Sequence, residues 1–135
     1  MEELFKVNKA SREVSVFMTG PKARALSIRY DIHKLGLIKK EIGQSAIKFV
    51  QNLESTQEFD ELTILNLFHI GVSHHFEGKK WTLKDTEQLF EVAIAEHGYS
   101  MVTLSQAVIQ ALMLSIGHYY GIKEDAAVVE ENPLA

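Results

Sequence analysis

The sequence predicts a mainly α protein, a small bundle of about four to five helices preceded by a short N-terminal β-strand or hairpin. Three observations carry this reading. Apolar residues recur at three- and four-residue spacing through most of the chain after Asp31, and residues suited to start and stop helices stand at the edges of those runs. Alternation of the strand period is found near the N-terminus, at Val14, Val16 and Met18 and again at Leu26, Ile28 and Tyr30. A chain of 135 residues, 46% hydrophobic and 24% charged, is also the right size and balance for one domain with a substantial core.

Residues 1–11 are polar and mixed, and are expected to be loosely ordered. Val14, Val16 and Met18 then alternate with Glu13, Ser15 and Phe17, and Thr19-Gly20-Pro21-Lys22 supplies turn residues directly afterwards. The second arm of a hairpin would be Ala25 to Tyr30. The same stretch also supports a helix through Ala25, Ile28, Ile32 and Leu35, and the pattern alone leaves both readings open.

Asp31 is a good N-cap for a helix carrying Ile32, Leu35, Ile38 and Ile42 and stopping at Gly43, with Lys39 and Lys40 at the negative end of its dipole. Ser45 caps a short helix with Ile47, Val50 and Leu53 on its apolar side, and the polar run Glu54 to Glu58 interrupts it.

The stretch from Phe59 to Gly98 reads as two helices joined by a polar loop that holds Trp81, the one tryptophan of the chain. Leu62, Leu65, Phe68 and Val72 form one stripe of the first helix, flanked by Ile64, Leu67 and Ile70, so this helix belongs in the core. The second starts at Thr82, whose hydroxyl can cap the backbone while Asp85, three residues on, reaches back. Leu89, Phe90, Ala93, Ile94 and His97 continue one face, and Gly98 ends it. Trp81 is expected to staple the loop to the helices.

The last long helix runs from about Ser100 to Tyr120 and has two apolar stripes. Met101, Leu104, Val108, Ala111, Leu112 and Tyr119 form one; Val102, Ile109, Met113, Ile116 and Tyr120 form the other. Either the helix is central or its second stripe is an interface. Residues 122–135 are acidic and read as a flexible tail, leaving residues 1–121 as a single helical domain.

Composition narrows the chemistry. A net charge of −4 argues against a general phosphate-binding surface, so no nucleic-acid partner is expected. Cysteine is absent, which excludes disulfides and thiolate zinc sites. No stretch holds the ~18 uninterrupted apolar residues of a membrane span, and the opening residues lack the apolar run of a signal peptide. The expected location is therefore the cytoplasm, without a membrane partner.

His69, His74 and His75 are spaced by five and six, which does not stack two imidazoles on one helical face as an i, i+4 pair would. The bland reading makes His69 a partly buried core residue and His74-His75 a solvated helix end. A metal site would need a bend there and a carboxylate such as Glu77. The loop before Trp81 resembles an EF-hand link, but with Glu87 as the closing ligand the opening positions fall on Phe76, Gly78 and Lys80, which offer calcium no side-chain oxygen. Neither a phosphate-binding GK[ST] loop nor a G-x-S-x-G nucleophile setting is present. No cofactor, metal or catalytic residue is therefore assigned, and the chain is expected not to be an enzyme.

The order of four short motifs, Lys40-Glu41-Ile42-Gly43, Ile70-Gly71-Val72-Ser73-His74, Thr82-Leu83-Lys84-Asp85 and Gln110-Ala111-Leu112, resembles the tail assembly chaperones of long-tailed, siphovirus-type bacteriophages. The resemblance covers about residues 25–117 and leaves Met1 to Gly20 unmatched. It implies a small helical chaperone-like protein, acting in the cytoplasm of the bacterial host and absent from the mature virion. Such a protein binds and solubilises the phage tape-measure protein, promotes assembly of the tail-tube protein and self-associates as a homo-oligomer. Together with the second stripe of the last helix, this makes Val102, Ile109, Met113, Ile116 and Tyr120 the expected partner-binding or self-association residues. Two other readings stand beside it: a structural tail or head–tail connector protein retained in the virion, and a small helical enzyme with a metal held by His69, His74 and Glu77.

Overall fold

In a computed structural model of the chain, residues 4–18, 24–56 and 60–121 are described. The expected hairpin turn at residues 19–22 and the expected tail at 122–135 lie outside them. The protein is mainly α, with five α-helices and a small three-stranded antiparallel sheet among the described residues.

The strands are β1 (Phe5–Asn8), β2 (Glu13–Met18) and β3 (Arg24–Ile28), in the order β1-β2-β3. β1 lies within the stretch expected to be loose. Its four residues FKVN carry little signal alone, but Phe5 pairs with Val16 and Val7 with Val14, so Phe5 and Val7 are half-buried while Lys6 and Asn8 face out. The hairpin between β1 and β2 closes on Arg12, a non-glycine residue at φ 57°, whose guanidinium lies 5.9 Å from the centre of the Tyr119 ring. β3 resolves the ambiguity at residues 25–30 in favour of a strand. Leu26 pairs with Val16 and Ile28 with Val14, which seals all four side chains in the core.

The helices follow as α1 (Ile32–Ile42), α2 (Ala46–Thr56), α3 (Glu61–Gly71), α4 (Leu83–Glu96) and α5 (Met101–Tyr120), with a 3-10 turn at Ser73–Phe76. Their starts are fixed by local chemistry: the side chains of Asp31, Asp60 and Ser100 accept from the backbone N–H groups of Lys34, Thr63 and Thr103. Thr82 and Asp85 form a reciprocal capping box on α4. That geometry holds the exposed Asp85 carboxyl below its ordinary range, chiefly through the Thr82 backbone N–H. Gly43 and Gly121 end α1 and α5 in the left-handed conformation. Gly36, by contrast, sits inside α1 and ends nothing.

α5 is the centre of the molecule, packing across all three strands and against α2 and α3. It is long and apolar enough to cross a membrane by length and composition alone, but Leu104, Ala107, Val108, Ala111 and Leu112 are spent in the core of this fold. Tyr30 joins α3 to α5: its hydroxyl donates to the Leu67 carbonyl at 2.6 Å, and its own carbonyl accepts from Ser115 Oγ at 2.7 Å. Burial drives the Tyr30 phenol above its ordinary pKa, so it stays a neutral donor.

Candidate partner-binding grooves

Two concave apolar surfaces lie at the two ends of α5. The first is walled by Leu62 and Leu65 of α3, Phe90 and Ile94 of α4, and Met101 at the start of α5. Helix geometry makes this wall: Leu62 and Leu65 are three residues apart, Phe90 and Ile94 four apart, so each pair presents one face. Phe90 is fixed by an edge-to-face contact with Phe68, ring centres 4.9 Å apart. Leu62 remains 64% exposed and Ile94 40% exposed. Glu61, Glu87 and Glu91 stand at the rim. The groove holds about 260 Å³, below the ~300–1,000 Å³ of ordinary small-molecule sites.

The second groove, about 470 Å³, lies between α1, α2 and the end of α5, lined by Ile32, Leu35, Ala46, Tyr119 and Tyr120 with Lys39 beside them. Ile32 is 69% exposed there. A third concavity at Leu37, Glu41, Asn66 and His69 is more polar in its lining.

The five residues expected on the outer stripe of α5 do not form one continuous exposed face. Val102 and Tyr120 are open, 57% and 52% exposed, but Ile109 and Met113 are half-buried and Ile116 is turned into the core at 7%. At ~1.5 Å rise per residue the two open residues stand about 27 Å apart. Tyr120 lines the second groove, and Val102 follows Met101 of the first. The other stripe is inside, with Leu104, Val108, Ala111 and Leu112 fully buried and Met101 and Tyr119 at its half-buried ends. Leu62 and Ile94 were legible as apolar helix positions, but only the meeting of α3 and α4 shows that they share an open groove.

A second constellation joins Ser27, Lys34, His74 and His75. The Lys34 ammonium has three N–H bonds and meets three acceptors: Arg29 O at 3.1 Å, Gly71 O at 3.3 Å and His74 Nδ1 at 2.6 Å. Since His74 Nδ1 accepts, its proton sits on Nε2 and is donated to Ser27 Oγ at 3.0 Å. The Ser27 hydroxyl then donates to His75 Nε2 at 3.0 Å, alongside the Ser27 backbone N–H at 2.8 Å. His74 and His75 are therefore not a solvated helix end. They cap the free edge of β3, whose outward N–H groups would otherwise be open for pairing.

Burial, with the neighbouring Lys34, pushes His74 down to about 4, and burial lowers Lys34 to about 8 against the opposing charge of Asp31. A neutral imidazole beside a cationic lysine follows. The Ser27–His contacts have the reach of a nucleophile and its base, and none of the three grooves described above is lined by Ser27, His74 or His75. Both nitrogens of His74 are engaged, and His69 Nδ1 bonds the Thr86 hydroxyl at 2.8 Å. Among the described residues no three His, Asp or Glu side chains are grouped to hold a metal ion. Trp81 stacks on Phe76 with ring centres 4.0 Å apart and donates to Thr86 Oγ1 at 2.8 Å, locking the loop to α4 as a staple.

No family model matches the chain, and neither a curated protein nor a solved structure is significantly similar to it.

Proposed function

We propose that this chain is a non-catalytic binding protein of the tail assembly chaperone type, which covers apolar segments of a tape-measure protein and keeps them soluble while tail-tube subunits assemble. One observation carries the binding part: large apolar side chains stand open at the mouths of preformed apolar grooves at both ends of α5. Single exposed hydrophobic residues are ordinary on protein surfaces, but open ones gathered on concave apolar walls are the form of a docking surface. The net charge of −4 supports the same reading, since an assembly that offers such surface needs net charge to stay soluble.

The order of helix-boundary motifs supports the phage assignment, and with it action in the host cytoplasm and self-association. Co-expression with a tape-measure protein encoded beside this chain tests it. The tape-measure protein is expected in the soluble fraction only when this chain is present, and this chain is expected to be missing from purified virions by mass spectrometry. Retention in the particle at fixed copy number would instead make it a structural or connector protein.

A further inference from the structure

The first groove has an unusual rim. Glu61 comes from α3, and Glu87 and Glu91 come from successive turns of α4, so carboxylates stand on both walls of an apolar trough. Glu87 and Glu91 are four residues apart, a like-charge spacing that destabilises a helix by a few tenths of a kcal/mol. Glu61 suits the positive end of the α3 dipole and Lys84 stands three residues before Glu87, but none of the three carboxylates makes a hydrogen bond or ion pair within the described structure. α4 carries Asp85, Glu87, Glu91 and Glu96 against the single cation Lys84, and only Asp85 is used, in the capping box. Exposed carboxylates without a partner on both walls of an apolar trough make its rim negative, and charge complementarity asks for cations on whatever fills it.

Resting on the protein-binding reading above, we infer that the groove between α3 and α4 takes an amphipathic helix of a partner protein, apolar side chains seated on Leu62, Phe90 and Ile94 and lysines or arginines paired with Glu61, Glu87 and Glu91. Charge chooses this occupant over the others at hand. The chain's own residues 122–135 carry Glu124, Asp125, Glu130 and Glu131 against Lys123 alone, and a second copy brings a net negative surface; both would set carboxylate against carboxylate. A helix laid in a groove also needs anchors three and four residues apart, which is the spacing the walls present.

The test uses the full chain and two synthetic helical peptides with identical leucines at i, i+3, i+4 and i+7, one flanked by lysines and the other by glutamates. Fluorescence anisotropy at low salt should show the lysine peptide binding at least about tenfold tighter, with the gap narrowing as salt screens the rim. The exposed-site variant Leu62→Asp should weaken the lysine peptide, and the double variant E87K/E91K should reverse the preference, with circular dichroism unchanged in both. Equal binding of the two peptides, no binding of either, or a preference untouched by E87K/E91K would overturn the inference. So would a concentration-dependent dimer abolished by Leu62→Asp, because the groove would then belong to a second copy. These results are separable from the chaperone assignment: that reading fails on virion content whichever peptide binds, and survives loss of peptide binding if the tape-measure protein is still solubilised.

Discussion

The two ends of α3 are built on opposite terms. At the C-terminal end, Gly71 and the following turn are locked: Gly71 O accepts from Arg29 N–H and from the Lys34 ammonium, and His74, Ser27 and His75 are joined by hydrogen bonds through the Ser27 hydroxyl. At the N-terminal end, Glu61 and Leu62 face outward, beside Glu87, Glu91 and Ile94, with unpaired carboxylates and open apolar surface. Polar groups that bond one another hold a fold together, whereas exposed carboxylates beside open apolar surface can pair with an incoming cation. The contrast says which end stabilises and which end can bind.

The closed end should break most readily at Gly71. A Cβ there would stand 2.5 Å from Ile28 Cγ2 and 2.8 Å from the Tyr30 hydroxyl, so Gly71→Ala must push β3 and Tyr30 off α3. Overpacking of this kind costs about 1–3 kcal/mol, and displacement of Tyr30 from Leu67 O adds to it; urea denaturation should show the largest loss of any variant considered. Ser115→Ala, which strips the buried Tyr30 carbonyl of its donor, should cost about 1–3 kcal/mol in the same experiment.

Acid sharpens the comparison next. Because the folded His74 has its pKa lowered to about 4 from 6.5, the unfolded chain takes up a proton first as pH falls between those values. Stability should therefore be lost progressively from pH 6.5 down to 4, and His69, also lowered by burial, acts in the same direction. Thermal melts of His74→Gln should show a shallower decline over that window. At the open end, Leu62→Asp should move stability least, within about 0.5 kcal/mol, while carrying the greatest loss of binding. A large destabilisation there would mean that the exposed groove is part of the core after all.

Much of the fold was legible in advance because helix boundaries are set by neighbours in the chain. Asp31, Thr82 with Asp85, Ser100, Gly43 and Gly121 act on backbone groups at most a few residues away, and each does what its chemistry calls for. β1 was not legible, since FKVN becomes a strand only when β2 offers its pairing edge. The histidine cluster was equally hidden: Ser27 stands 47 and 48 residues from His74 and His75, and no spacing rule joins positions that far apart. The stripe on α5 was read correctly as apolar, but periodicity gives the angular position of a side chain and says nothing of which neighbour covers it.

The sequence by itself determined the mainly helical class, the places where helices begin and end, the apolar faces and the acidic balance, because these depend on local backbone chemistry and on composition. The tertiary structure decided that α5 lies at the centre, that Ile116 turns inward while Leu62 and Ile94 open onto a groove, and that His74 and His75 close an edge of the sheet. Burial and charge pairing are properties of surfaces brought together from distant parts of the chain, and only packing brings them together.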